Sequence, residues 1–450
     1  MITIGIAEVD ITPPLGTRMS EPAYEDRHAT GILDPLFARA MVIDNGTDQI
    51  CFVTCDVLSV RRSTVVNARQ AIQEQTGIPT DRVAISATHT HWGPATTFAW
   101  THDLVPDEDY IATFEKKIAE AACTAFENRQ PATIGFAWRF EGKLTFNRRF
   151  IMRDGNVLMH PTPGSTDILY QEGPVDPEVG IVCARDADGK TLGYIVNYAC
   201  HATASFNETG EQITADFPGH LAAKAKQVKG DDCITLFTNG ACANLCQQDV
   251  YDPDHSRFGE ELATMIGEKL AEHAFAAEED MEWLDDLPLD ARSTEIPFPI
   301  RPLPDKLLEW AREVKANPDA YSMRDQLYAN STFELAEEKR HFPMTIGEVQ
   351  AFRIGDIGWV MLPGEIFVEF GLDIKLRSPA ERTWVTGLAN GIVGYVPTKR
   401  AFEDGAGEDD SLRRAWGNYE QRTANTSRLA HVAGEMMVET GHALLDSMFR

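Results

Sequence analysis

Residues 83–94, VAISATHTHWGP, join an apolar, β-branched run to a pair of histidines and a glycine-proline break. Val83 and Ile85 favour a strand, whereas Gly93-Pro94 does not continue one. If the chain stays extended, His89 and His91 share a face, roughly 6.5–7 Å apart along it. Two imidazoles so placed suit two jobs in one pocket, metal ligand and proton acceptor. The spacing does not say which histidine does which.

The stretch closes a larger unit. ARAMVID (38–44) and ICFVTCDV (50–57) flank Asn45-Gly46, a dipeptide that favours a tight hairpin. A helical segment over 62–76 follows, and then the strand that carries the histidines. The same order recurs twice. VGIVCAR (179–185) and TLGYIVNYAC (191–200) flank Asp188-Gly189, with a helix expected over 218–228 and a strand over 233–238. QAFRI (350–354) and GWVMLP (358–363) surround Gly355-Asp356, with a helix near 366–377 and the strand TWVTGL (383–388). The repetition is architectural, not residue by residue. Three hairpin–helix–strand units predict an α/β fold of layered mixed β-sheets flanked by helices.

Between the units, 106–128 and 256–277 carry helical periodicity with alternating charge. Residues 2–9 read as a first strand, 15–36 as a long loop, 278–290 as an acidic connector and 428–449 as a terminal amphipathic helix. A helical insertion is expected over approximately 301–345, broken at Asn317-Pro318. No firm boundary divides the 450 residues, so residues 1–450 are expected to form a single domain.

Composition narrows the partners. The net charge of −28, from 41 basic and 69 acidic residues, argues against nucleic acid and anionic membrane surfaces. No apolar run is long enough for a membrane span. The N-terminus MITIGIAEVDITPP shows no signal peptide, so a cytoplasmic location is expected. The eight cysteines are scattered through apolar runs, as expected of reduced, buried thiols. A small-molecule substrate is the partner left. The sequence does not set the oligomeric state.

Each unit delivers polar residues at a strand end, where open α/β sheets place ligands. Unit one gives His89 and His91, unit two gives His201 in NYACHAT, and unit three gives Glu365 in LPGE and Tyr395 after its last strand. Two histidines, a carboxylate and an oxygen donor suit one Zn2+ with room for water. That donor set fits zinc better than magnesium, which prefers all-oxygen shells. A phenol ligand requires the metal to lower a pKa near 10. Asp56 ends the central strand of unit one and Asp216 stands in TADFPG. Each either orients a ligand histidine or hydrogen-bonds main chain. His160, His220, His255, His431 and His442 read as structural or surface residues.

Taken together, DITPP, ATHTHWGP, FNRR, NYACHAT, TADFPG, LPGE, GLANGIVGYVPT and NYE resemble, in collinear order, the catalytic N-terminal domain of the neutral ceramidase family. The resemblance implies that zinc is held by His89, His201, Glu365 and Tyr395. It assigns His91 to proton transfer as general base, and Arg148 and Tyr419 to holding the scissile carbonyl. The chemistry it implies is hydrolysis of an amide C–N bond by zinc-activated water. The sequence departs from the family pattern in CANLCQQD (242–249), where Cys246 stands at a serine position and Asn244 at an aspartate position. Trp92 replaces a common serine. Trp92, Asn244 and Cys246 are therefore candidate pocket residues. Members of the family also carry a secretion signal and a C-terminal immunoglobulin-like domain, neither of which this sequence shows. Hence a small soluble N-acyl compound is expected as substrate. An esterase or lactonase on the same site is the alternative, followed by an inactive binding protein on the same fold.

Overall fold

The computed structural model describes residues 1–20, 26–97, 106–205, 211–255, 257–405 and 419–449. Residues 21–25 of the long loop, residue 256 at the start of an expected helix and Asn418 of NYE lie outside them.

The larger of two main sheets contains β1 (Ile2–Asp10), β2 (Phe37–Asp44), β3 (Gln49–Cys55), β4 (Val83–Ala87), β5 (Gln130–Phe140), β6 (Glu178–Asp186), β7 (Thr191–Tyr198) and β8 (Ile234–Asn239). Their order is β8-β7-β6-β5-β1-β2-β3-β4, and the short strand Trp283–Leu284 adds to β5. The second sheet runs β9-β10-β11-β12, from Leu289–Pro299, Met344–Ile354, Ile357–Met361 and Arg382–Thr386. β2–β3, β6–β7 and β10–β11 are antiparallel hairpins. In each unit the third strand lies parallel on the second: β4 on β3, β8 on β7 and β12 on β11. The mixed sheets and the three units are as the sequence predicts.

The layers follow from which faces are apolar. Ile4, Met41, Phe52 and Ile195 of the first sheet pack against Phe352, Trp359 and Trp384 of the second. Phe52 lies 5.2 Å from Phe352 and 4.7 Å from Trp359 between ring centroids. Burying a side chain such as Phe352 contributes roughly 1.5–3 kcal/mol. Gly180 makes room for this seam, because a Cβ there would meet the Trp384 indole at 2.5 Å.

The outer face of the first sheet is covered by α1 (Arg62–Thr76) and α2 (Glu108–Glu127) at one end, and by α3 (Asp216–Lys229) and α4 (Glu260–Ala277) at the other. The second sheet is covered by α7 (Val368–Arg377) and α8 (Ala433–Phe449). The insertion forms a helical pair, α5 (Asp305–Ala316) and α6 (Met323–His341), with the Asn317-Pro318 break between them. No helix among the described residues is long and apolar enough to cross a membrane. All eight cysteines are buried and unbonded.

Residues 387–390 stitch the units together where their strands end. Gly387 N–H donates to Asn239 O (3.0 Å), Leu388 N–H to Gly364 O (2.9 Å) and Asn390 N–H to Ile85 O (2.7 Å). The Asn390 Oδ1 accepts from Ile85 N–H at 3.0 Å, so this segment pairs with the free edge of β4. Leu388 and Asn390 have φ of 53° and 59°. Asparagine tolerates that region and leucine does not readily, so the bend at Leu388 stores strain.

Candidate functional site

The parallel strand pairs bring their C-terminal ends together, and the candidate residues sit on them. β4 ends at Ala87, and the chain turns at His89, whose φ is 72°. The histidine pair is therefore not in extended chain. The turn brings the two rings to 4.9 Å between centroids. His201 follows β7, with its ring 4.7 Å from His89 and 5.8 Å from His91. The candidate ligand atoms of His89, His91 and His201 all lie within 4.8 Å of one another, so the three can hold a metal ion. His89 and His201 are fully buried and His91 is half-buried.

Hydrogen bonds fix which nitrogen each buried ring presents. His89 Nδ1 lies 2.7 Å from the Leu58 carbonyl oxygen, and His201 Nδ1 lies 2.9 Å from that of Cys242. A carbonyl only accepts, so each Nδ1 carries the proton and each Nε2 is a bare lone pair. Both Nε2 atoms face the same carboxylate oxygen, Glu365 Oε2, at 3.5 Å and 3.4 Å. None of these three buried atoms has a hydrogen-bond partner. Three lone pairs aimed at one another repel, and the exception to the rule that buried polar atoms are paired needs a cause. A cation between them removes the repulsion. Burial pushes the His201 imidazole down to about 3, with Arg148 adding to the shift. His91 is likewise held well below the ordinary range by burial and by its two histidine neighbours.

Unit three supplies two neighbouring side chains. Glu365–Ile366 and Tyr395–Val396 form a short parallel ladder with Glu365 opposite Tyr395. Tyr395 is buried, and its ring centroid lies 5.7 Å from that of Tyr419. Burial, Glu365 and Tyr419 together push its phenol well above the usual value.

Arg148 is buried beside this pair, its guanidinium 5.6 Å from the Tyr419 ring centroid. Its Nε donates to Glu420 Oε1 at 2.8 Å, and Arg149 Nη1 donates to Glu420 Oε2 at 2.9 Å. The fully buried Glu420 thus fixes two adjacent guanidiniums, while Arg148 Nη2 is buried without a hydrogen-bond partner. Burial opposes the Arg148 charge, but Tyr419 and Glu420 outweigh it and raise the pKa well above its ordinary value.

The other candidates lie around this centre. Trp92 is buried, and its carbonyl accepts from Thr214 N–H at 3.1 Å. Asn244 Oδ1 accepts from Val368 N–H (2.9 Å) and its Nδ2 donates to Glu369 Oε2 (3.0 Å), so its side chain clamps the start of α7. Cys246 pairs through main chain with Phe146, and burial raises its thiol to about 11. Asp56 accepts from Arg39 Nη1 (2.7 Å) and Phe37 N–H (3.0 Å). Asp216 accepts from Ser205 N–H and Phe217 N–H, both at 2.7 Å. Asp216 thus anchors main chain, whereas Asp56 holds the Arg39 guanidinium as well as one main-chain N–H.

Sequence reasoning passed over two kinds of contributor. Main-chain carbonyls such as Leu58 and Cys242 leave no sequence signal. Glu420 did leave one, standing next to Tyr419 in NYE.

Residues 2–253 match the family described as neutral/alkaline non-lysosomal ceramidase, N-terminal. A neutral ceramidase of Drosophila pseudoobscura pseudoobscura is 25% identical over 229 residues, which are 49% of this chain and 31% of that protein. Neutral ceramidase A of Dictyostelium discoideum is 28% identical over 233 residues, with the same coverage of 49% and 31%. The match thus spans about a third of the length of these relatives. The crystal structure of neutral ceramidase from Pseudomonas aeruginosa superposes with a TM-score of 0.75 at 17% identity, covering 100% of this chain and 74% of that one. The family match takes in more than half of the chain, and the fold agrees with it: this chain belongs to the neutral/alkaline non-lysosomal ceramidase family.

Proposed function

We propose that this chain is a zinc-dependent hydrolase of an amide bond in a small N-acyl compound. The observation that carries the reading is the convergence of His89 Nε2, His201 Nε2 and Glu365 Oε2 without partners. His89, His201, Glu365 and Tyr395 would hold the metal, a nitrogen-and-oxygen set that suits zinc. When bound, zinc supplies Lewis acidity and lowers the pKa of a coordinated water toward 7.

The remaining work falls to the chain's own residues. His91 stands at the open side of the histidine cluster, where an imidazole can take a proton and pass it to the leaving amine. Arg148 Nη2 offers an unused N–H for the carbonyl oxygen on which charge develops, and Tyr419 flanks it with a phenol. Glu420 keeps the Arg148 fork in one orientation, so little reorganisation is needed as charge appears. The Cys246 thiol, raised by burial to about 11, speaks against a cysteine nucleophile.

The proximity of His91 to His89 and His201 favours a second arrangement, with three histidine ligands. Metal content separates the two. Purified wild type should hold about one zinc per chain, and His89→Ala and Glu365→Ala should lose it. His91→Ala should keep zinc and lose hydrolysis of an amide panel. If His91→Ala loses the metal as well, the three-histidine arrangement holds. A wild type that takes up no metal overturns the reading.

A further inference from the structure

His160 closes the strand Val157–Met159, whose register sets Arg149 opposite Met159 and brings His160 level with Arg148. Its N–H donates to the Arg148 carbonyl at 3.0 Å. The residue is held at φ 49°, an uncommon conformation for histidine, as His89 is at 72°. Such strain concentrates where a side chain must be aimed.

The ring's tautomer can be read from its neighbours. Gln248 Oε1 accepts from Arg257 Nε at 3.2 Å and Nη2 at 2.8 Å. Arginine only donates, so the atom it meets is the amide oxygen and Gln248 has one orientation. His160 Nδ1 lies 3.2 Å from that same oxygen and must carry the proton. Its Nε2 is therefore a fixed acceptor. The ring is half-buried, and the charge of Arg148 and the ring of His201 both act on it. Burial, with Arg148 next, pushes the imidazole down to about 3, which keeps Nε2 an acceptor across the neutral range.

We propose that His160 is a specificity residue: its Nε2 accepts a hydrogen bond from a hydroxyl or N–H on the substrate, next to the carbonyl that Arg148 meets. On this proposal the substrate would meet one donor, Arg148 Nη2, and one acceptor, His160 Nε2, side by side. A substrate that lacks the donor leaves a half-buried acceptor unpaired and is rejected. This inference rests on the proposed role of Arg148 at the substrate carbonyl.

The test uses zinc-loaded His91→Ala protein, so that binding is read without turnover, and two pairs of probes matched in size. N-butanoyl ethanolamine is compared with N-butanoyl propylamine, and N-(2-hydroxybutanoyl) propylamine with N-(2-methylbutanoyl) propylamine. Titration calorimetry should give about tenfold tighter binding for the hydroxyl member of at least one pair. Adding His160→Asn keeps a residue that tolerates positive φ but shortens the acceptor, and should bring the ratio near one. Gln248→Leu, which frees the tautomer, should do the same with the ring still present. Equal binding within both pairs overturns the inference, as does a ratio that survives both substitutions. Amide hydrolysis by the wild type is scored separately. Discrimination without hydrolysis would support His160 as a binding residue while sinking the amidase reading.

Discussion

Units one and two use the same pair of parallel strand ends with the roles exchanged. In unit one the histidine, His89, follows the third strand, and the carbonyl that holds its Nδ1, Leu58, follows the second. In unit two the histidine, His201, follows the second strand, and the carbonyl, Cys242, follows the third. What the units share is the adjacency of two strand ends, one giving a ring and the other a main-chain oxygen. Their aspartates differ in the same way. Asp56 is buried against the Arg39 guanidinium, whereas Asp216 is buried against two main-chain N–H groups.

If the exchange is functionally neutral, the two histidines should fail alike. Zinc at a thousand times its Kd should stabilise the wild type by about 4 kcal/mol. His89→Ala and His201→Ala should each erase that gain in melting curves recorded with and without zinc. A gain kept by one of them would make the two units unequal partners in the site. The aspartates should differ sharply. Arg39→Met leaves Asp56 buried without its counter-charge and should cost about 3–5 kcal/mol in urea unfolding at pH 7.

Asp216 predicts a dependence on pH in its own right. Burial raises its carboxyl from 3.8 to about 6. Because the folded value lies above the unfolded one, its stabilising contribution is complete below about pH 4. It is lost as pH rises through about 6, and amounts to at most about 3 kcal/mol. Asp216→Asn should remove this slope from urea midpoints measured between pH 4 and 7. An unchanged slope would show that the main-chain N–H groups hold the ion against the cost of burial. The smallest effect concerns the seam beside unit one. Asn390→Ala should be less stable than Asn390→Gly by about 1 kcal/mol, because both lose the amide but glycine accepts φ 59° without strain. Equal stabilities would mean that the bend there is unstrained.

The hairpin–helix–strand units were legible because turn dipeptides and apolar runs are local signals. Two long strands were not. β5 carries Pro131 and Gly135, and β9 mixes Asp290, Arg292 and Glu295 with two prolines, so neither shows the alternation that marks a strand. Sheet pairing on both sides holds β5 in place, and pairing with β10 along its whole length holds β9. At the site, the side chains that gather there were legible, and the devices that aim them were not. The positive φ of His89 is a matter of backbone geometry, the carbonyls of Leu58 and Cys242 reach their rings across 31 and 41 residues, and the fork made by Glu420 closes across 272. The 242–249 departure looked chemical in sequence. In the fold, Asn244 is a clamp on α7 and Cys246 a buried thiol.

The seam at residues 387–390 sets the order in which the chain can become competent. Its main-chain bonds reach Ile85, Asn239 and Gly364, one from each unit. Until residues 387–390 have been synthesised and have bent at Leu388, the main-chain bonds that tie the ends of β4 and β8 to the end of β11 are missing. Early collapse can form the first sheet, but not the cluster of His89, His201, Glu365 and Tyr395. Such long-range closure is slow. A nascent chain therefore passes through a stage with its first sheet begun and these candidate ligands apart, and the pocket they line is not complete until residues 365–395 are in place.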